Sequence, residues 1–190
     1  MKDIEAYSKY GMDSNGGVTR PSFSEADYIV RDLYKTQLEV MGLEVTLDPI
    51  ANIWGKLRGN GTKSGSIVIG SHLDTVPNGG EYDGALGVLV AKEIIQRIIE
   101  KGLTLNHDLE IVSFNAEESN DFGLSTIGSR AFVGKLSVEE LKGTVDSKGL
   151  LLSDALQTVD GDINRIEEME KMREEKKVFL ELHIEQGKRL

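Results

Sequence analysis

Four short segments gather histidine, aspartate and glutamate at spacings that could do chemistry. In the first, Ser71-His72-Leu73-Asp74-Thr75 follows the β-branched run Ser66-Ile67-Val68-Ile69-Gly70. Alternation along an extended chain puts His72 and Asp74 on one side, with Ser71 and Leu73 on the other. A carboxylate so placed can take the second ring proton of a histidine and fix its tautomer, as beside metal-ligating imidazoles. A lone histidine in a strand is more often structural; the adjacent acid and the glycine-rich loop that follows bring the two readings level. In the second segment, Pro77-Asn78-Gly79-Gly80-Glu81-Tyr82-Asp83-Gly84 delivers Asp83 to the start of an apolar helix. Asp83 reads there as an N-cap or, since a carboxylate has two oxygens, as a ligand bridging two cations. Taken alone, the cap is favoured.

The third segment is Asn115-Ala116-Glu117-Glu118-Ser119. Adjacent carboxylates in an extended or turning chain point in different directions, so one can bind a metal while its neighbour acts as a base. An acidic loop feeding the next helix is the plainer alternative. The fourth, Leu182-His183-Ile184-Glu185-Gln186-Gly187, again sets a histidine and an acid at a strand end. The remaining histidine, His107, precedes a strand and reads as an ordinary surface residue.

Other chemistries fit less well. There is no GxSxG elbow, and Ser71 faces away from His72, which argues against a hydrolase triad. Gly59-Asn60-Gly61 and Gly79-Gly80 have neither the Walker lysine nor dinucleotide-binding spacing. The sequence contains no cysteine, so thiolate zinc sites, cysteine nucleophiles and disulfide frameworks are excluded. A divalent metal held by histidine and carboxylate ligands is the reading that uses every segment.

These residues need elements to carry them, and the apolar pattern supplies an α/β arrangement. Ser24, with Asp27 three residues later, predicts a helix start, running through Ile29, Leu33, Leu38 and Met41 to a stop at Gly42. Leu43–Leu47 and Asn52–Leu57 predict an antiparallel pair around Pro49. Ser66–Gly70, apolar on both sides, predicts a strand buried in a parallel sheet. A helix from Gly84 to Lys101 keeps apolar residues at helical spacing and ends at Gly102. Leu109–Phe114 then predicts another strand. Strand, helix, strand is a βαβ unit, so the expected fold is a mainly parallel sheet flanked by helices. Ser137–Glu175 predicts a charged helical segment, its run RIEEMEKMREEKK a solvated face, and Val178–Ile184 a closing strand that leaves an open edge.

Composition bounds the function classes. The 190 residues carry a net charge of −10, with 39% hydrophobic and 28% charged residues, as in a soluble globular domain. With no basic stripe, a nucleic-acid binder is not expected. No run approaches the ~20 apolar residues of a membrane helix, and the charged N-terminus MKDIEAYSKYGMDSNGG lacks the apolar core of a signal peptide. A cytoplasmic protein is expected.

Gly70-Ser71-His72-Leu73-Asp74-Thr75-Val76 with Gly79-Gly80-Glu81-Tyr82-Asp83-Gly84 resembles the M20-type metallohydrolases. It resembles most closely their hydantoinase/carbamoylase branch: N-carbamoyl-L-amino acid hydrolases, β-ureidopropionases and allantoate amidohydrolases. Gly17-Val18-Thr19-Arg20, Gly128-Ser129-Arg130-Ala131 and His183-Ile184-Glu185-Gln186-Gly187 support that branch. The resemblance implies that His72, Asp83 and His183 hold one divalent ion, and that Asp83 bridges to a second held also by Glu118. It implies that Glu117 is the general base, that Asp74 orients His72, and that Gln186 touches substrate. Such ligands suit zinc, manganese, cobalt or nickel alike. The implied reaction is cleavage of a linear C–N bond in N-carbamoyl amino acids or ureido compounds such as allantoate. An aminoacylase or dipeptidase of the M20 type, or a catalytically silent truncated fragment, is the alternative.

Two departures from the family pattern are visible. Ser119-Asn120-Asp121-Phe122 replaces a segment that commonly carries an arginine and a phenylalanine. Residues 1–190 also correspond to about the first half of a family member, the N-terminal portion of the catalytic metal-binding domain, incomplete at the C-terminus. The lid or dimerisation domain and the C-terminal return, which complete the second metal site and grip the substrate, would be absent. A small-molecule substrate and a homodimer are thus expected of the full-length protein, and at most one tightly held ion of this chain.

Overall fold

The computed structural model describes residues 2–185. Helix α1 (Lys2–Ser8) opens the chain, a short element that the sequence pattern did not announce. Helix α2 (Glu25–Val40) starts where predicted: the Ser24 side chain accepts from the Asp27 N–H, and Gly42 leaves the helix at φ 83°. Its Val30, Tyr34 and Leu38 lie on one buried face. Strands β1 (Glu44–Leu47) and β2 (Ile53–Leu57) form the expected antiparallel pair. Next come β3 (Ser66–His72), α3 (Ala85–Glu100) and β4 (Asp108–Phe114), the predicted βαβ unit.

The sheet has five strands in the order β1-β2-β4-β3-β5, with β5 spanning Lys176–Leu180. β3 pairs in parallel with β4 and β5, whereas β2 pairs antiparallel with both β1 and β4. Only β2 therefore runs against the other four. The sheet is mixed, with its parallel part at β4-β3-β5, and the carboxyl ends of those three strands share one edge.

Alternation along the strands sends adjacent residues to opposite cores. Ile53, Ile69 and Ile111 join α1, α2 and α3 in one cluster. Their neighbours Trp54, Val68 and Val112 join Ile127, Leu141, Leu152, Leu156 and Met169 in the other. The result is three layers, with the sheet between two sets of helices.

The second set differs from the expected single helical segment. Residues 127–174 form α4 (Ile127–Phe132), α5 (Val138–Lys142), α6 (Leu152–Gln157), a 3₁₀ turn (Ile163–Glu168) and α7 (Met169–Glu174). Breaks fall at the C-cap Gly143, at Gly149 with φ 87°, and at the Asp160-Gly161 turn. The run RIEEMEKMREEKK is not solvated all round, because Met169 is buried and Ile166 and Met172 pack on the second cluster. β5 is shorter than predicted, since Glu181–Glu185 has no strand pairing. The buried Glu110 of β4 ties β5 down through Lys176 Nζ at 2.6 Å, with Lys56 Nζ of β2 at 3.1 Å.

Gly70 lets β3 lie against β4 next to the site: a Cβ there would fall 2.0 Å from the Val112 carbonyl oxygen. That neighbour is backbone in the middle of the sheet and has nowhere to move. Gly70→Ala is expected to lower stability by about 3 kcal/mol, the upper range for overpacking a core. Urea unfolding measures this, and a loss below ~0.5 kcal/mol would show that β3 shifts without cost.

Candidate metal centre

The three parallel strands deliver their C-terminal residues to one edge, where open α/β sheets bind ligands. His72 is the last residue of β3 and is 2% exposed. Its Nδ1 lies 3.0 Å from the main-chain oxygen of Asp74, and 3.6 Å from the Asp74 carboxylate. The ring proton therefore belongs on Nδ1, donated to the carbonyl, and Nε2 carries the lone pair. His183, beyond β5, repeats the pattern, with Nδ1 2.9 Å from the Ile184 carbonyl oxygen. The two Nε2 atoms face each other at 3.5 Å, and the rings stack with centroids 5.7 Å apart. Two lone pairs aimed at the same space require a proton or a cation between them.

Carboxylates close around this space. Asp83 Oδ1 is 3.3 Å from His183 Nε2, and Glu117 Oε2 is 3.6 Å from His72 Nε2. Two groups have ligand atoms all within 4.8 Å of one another: His72, Asp83 and His183, and then His72, Glu117 and Glu118. The first is the triad that the resemblance implied. The second differs from expectation. Glu117 and Glu118 converge on His72 rather than diverging, and among the described residues no such group joins Asp83 to Glu118. Among the described residues no lysine or arginine pairs with Asp83, Glu117 or Glu118. Histidine nitrogen and carboxylate oxygen facing inward, without a counter-cation, fit a divalent ion.

Local backbone explains each placement. Asp83 is not the cap of α3: the N-cap is Gly84, at φ 61° and without a side-chain cap bond, which leaves the Asp83 carboxylate for His183. A Cβ on Gly84 would lie 2.4 Å from the His72 ring, so only glycine lets the imidazole lie flat there. Ala116 turns the chain after β4 at φ 50°. The turn is pinned by the Thr126 N–H to the Glu117 oxygen at 2.6 Å and the Ile127 N–H to the Ala116 oxygen at 2.9 Å.

Asp74 lies against the His72 ring and also holds the loop after β4. Its carboxylate accepts the Glu117 N–H at 3.3 Å, the Glu118 N–H at 3.0 Å and the Ser22 hydroxyl at 2.8 Å. Its carbonyl oxygen, 3.0 Å from His72 Nδ1, and its carboxylate, 3.6 Å away, both face that ring nitrogen. Ser71 points away from His72, as predicted, and donates to Glu181 at 2.6 Å. His107 lies at the start of β4, its Nδ1 3.1 Å from the Ser64 carbonyl oxygen. Gln186 lies outside the described residues.

Several supporting residues escaped the sequence reading. Buried Arg20 donates from Nε to the Leu73 carbonyl at 2.8 Å, and through its NH1 nitrogen to the Tyr7 and Tyr10 carbonyls. Buried Asn115 holds the end of β4 by donating to the Ile50 carbonyl and accepting from Arg31. Asn52 and Trp54 both donate to the buried Asp48. A polar residue inside an apolar stretch, as in Ile50-Ala51-Asn52-Ile53-Trp54, was the available signal. Arg20 entered the sequence reading only as part of the Gly17-Val18-Thr19-Arg20 motif, whose residue types do not announce a buried arginine.

The electrostatics follow from burial and crowding. For His72, burial favours the neutral ring, but Asp74 and Glu117 outweigh it and raise the pKa to about 9. Burial, with Glu117, Asp83 and Asp74 nearby, raises Glu118 to about 7 against the pull of His72. Burial also raises Glu117. Asp74 stays below its ordinary value despite burial, because His72, the Glu118 N–H and Ser22 stabilise its charge.

Histidine and carboxylate ligands at the carboxyl edge of a three-layer α/β sheet define the class as that of the α/β metallohydrolases. The model for peptidase family M28 matches residues 52–178, most of the chain, and the chain belongs to that family. Its relatives are of the hydantoinase/carbamoylase branch indicated by the motifs. The N-carbamoyl-L-amino acid amidohydrolase of Geobacillus stearothermophilus is 37% identical over 94% of this chain and 43% of its own length. The allantoate amidohydrolase of Bacillus subtilis is 35% identical over 98% of this chain and 45% of its own. A hydantoinase/carbamoylase family amidase from Burkholderia multivorans superposes with a TM-score of 0.87 at 28% identity, over 98% of this chain and 44% of that one. The chain thus spans less than half the length of these relatives.

Asp27 and Asp48, buried behind the site, are each raised to about 6 by burial. Like His72 and Glu118, they hold protons in the folded chain that the unfolded chain has already released. Their contribution is largest below the unfolded values and is lost as pH rises through the folded ones. For each buried aspartate the shift corresponds to about 3 kcal/mol. With divalent ions chelated, the melting temperature is expected to be highest near pH 5 and to fall towards pH 9. A midpoint that is flat or rises over that window would contradict the assignment.

Proposed function

We propose that these residues form the metal-holding part of an amidohydrolase that cleaves a linear C–N bond of N-carbamoyl amino acids or related ureido compounds. The facing Nε2 atoms of His72 and His183, with Asp83 beside them, carry the proposal. The names of the similar N-carbamoyl-L-amino acid and allantoate amidohydrolases support the substrate class. In this reading, residues 1–190 are the N-terminal portion of the catalytic domain of a cytoplasmic, homodimeric enzyme. Its ions are zinc or manganese, with cobalt or nickel also suited to the ligands. His72, Asp83 and His183 hold one, and Glu118 serves the second.

A bound divalent ion supplies carbonyl polarisation and a more acidic water. The protein's own groups do the rest. Glu117, raised by burial above an ordinary carboxylate, takes a proton from the attacking water. As the C–N bond breaks, Glu117 returns that proton to the departing nitrogen. Asp74 keeps both glutamates in place through their amides. Gln186 is assigned to substrate contact.

A peptide-bond substrate is the second reading, favoured by the peptidase description of the matching family. Assay of a full-length protein carrying these residues on N-carbamoyl amino acids, allantoate and dipeptides separates the two. Turnover of dipeptides alone would overturn the first. In that protein Glu117→Gln is expected to lower kcat by about 10²–10⁴-fold with metal content unchanged. The 190-residue chain alone is expected to hold at most one ion tightly. Calorimetric titration showing two ions of similar affinity would contradict this.

A further inference from the structure

We propose that Ser22 is a positioning residue for the Glu117–Glu118 pair, acting through the carboxylate of Asp74. The proposal rests on the metal-site reading above and extends it to a residue that touches no candidate ligand. The Ser22 hydroxyl donates to Asp74 Oδ2 at 2.8 Å, and the Glu118 N–H donates to the same oxygen at 3.0 Å. The Glu117 N–H reaches the other oxygen, Oδ1, at 3.3 Å.

Two consecutive amides aimed at one anion form a concave nest, and the left-handed Ala116 before them supplies its turn. The direction in which Glu117 and Glu118 leave the backbone is therefore set by where the Asp74 carboxylate sits. Asp74 is 3% exposed, and its χ rotation is limited by three donors on two segments, Ser22 before α2 and the Glu117–Glu118 amides after β4. Ser22 is the side chain among these three donors, and the His72 ring lies 3.6 Å from the other oxygen, Oδ1. Without Ser22, Oδ2 keeps the Glu118 N–H alone, and the carboxylate is freer to rotate and release the Glu117 contact, the longest of the three. His72 keeps its main-chain bond to the Asp74 carbonyl whatever the carboxylate does. The group of His72, Asp83 and His183 is thereby insulated from Ser22, while the group of His72, Glu117 and Glu118 is not.

Ser22 also lines a cavity of about 570 Å³, together with Phe23, Ser119 and Phe122. There is room for an added methyl group, so threonine can keep the hydroxyl in place.

The test compares the wild-type chain with Ser22→Ala and Ser22→Thr. Amide hydrogen exchange is followed by NMR without metal, and Mn²⁺ binding by calorimetry. In Ser22→Ala the Glu117 and Glu118 amides are expected to exchange about tenfold faster, with other amides of the sheet unchanged. The tighter Mn²⁺ step should stay within twofold, while a weaker second step loses about tenfold. Ser22→Thr should restore both. Unchanged exchange at Glu117 and Glu118 in Ser22→Ala would overturn the proposal, as would an equal loss at both steps or protection lost across the whole sheet. If the wild-type chain binds no Mn²⁺, the metal-site reading fails, and amide exchange still decides the role of Ser22.

Discussion

Asp74 is the residue through which the parts of the site are held to one another. Its main-chain oxygen fixes the His72 tautomer and its carboxylate fixes the amides of Glu117 and Glu118. One residue thus aligns a group from β3 with groups from the loop after β4. The arrangement depends on β3 and β4 being parallel and in register, with His72 paired to Phe114. A shift of one residue would reverse the faces and turn Asp74 away from the loop. The close approach of Gly70 to Val112 holds that register.

Gathering three carboxylates around two imidazoles costs free energy, and burial together with the neighbouring carboxylates raises Glu118. The fold does not relieve this with an arginine: Arg20 and Arg31 lie behind the site rather than inside it. Arg20 binds carbonyls of Leu73, Tyr7 and Tyr10, and Arg31 binds Asn115. Both stiffen the backbone that carries the ligands without neutralising them. An arginine placed directly against Glu117 or Asp83 would relieve the repulsion but would also compete with a metal ion for the same oxygens.

Much of the fold was legible because local rules and tertiary packing agree. Ser24 caps α2, Gly42 and Gly102 follow helix ends, and the apolar strand Ser66–Gly70 lies inside the sheet with a parallel partner on each side. The site was legible to the extent that it lies at strand ends, where His72 and His183 were expected. What failed were features set by backbone angles that a residue name does not carry. Asp83 looked like a cap, but Gly84 takes the cap position with a left-handed turn. Glu117 and Glu118 converge because Ala116, an unremarkable residue, adopts a positive φ. The second helical layer broke up because its glycines act together with buried contacts such as Met169, which a charge pattern conceals.

His183 is the weakest support of the first ligand group, for a structural reason. Its carrier, β5, lies at the end of the sheet and pairs only with β3. Val178, Phe179 and Leu180 are about half exposed, so burial contributes less to docking this strand than it does for β3 or β4. His72 and Asp83, by contrast, sit on a buried strand and at the start of a long, packed helix. A ligand that joins all three groups stabilises the state in which β5 is docked, by mass action.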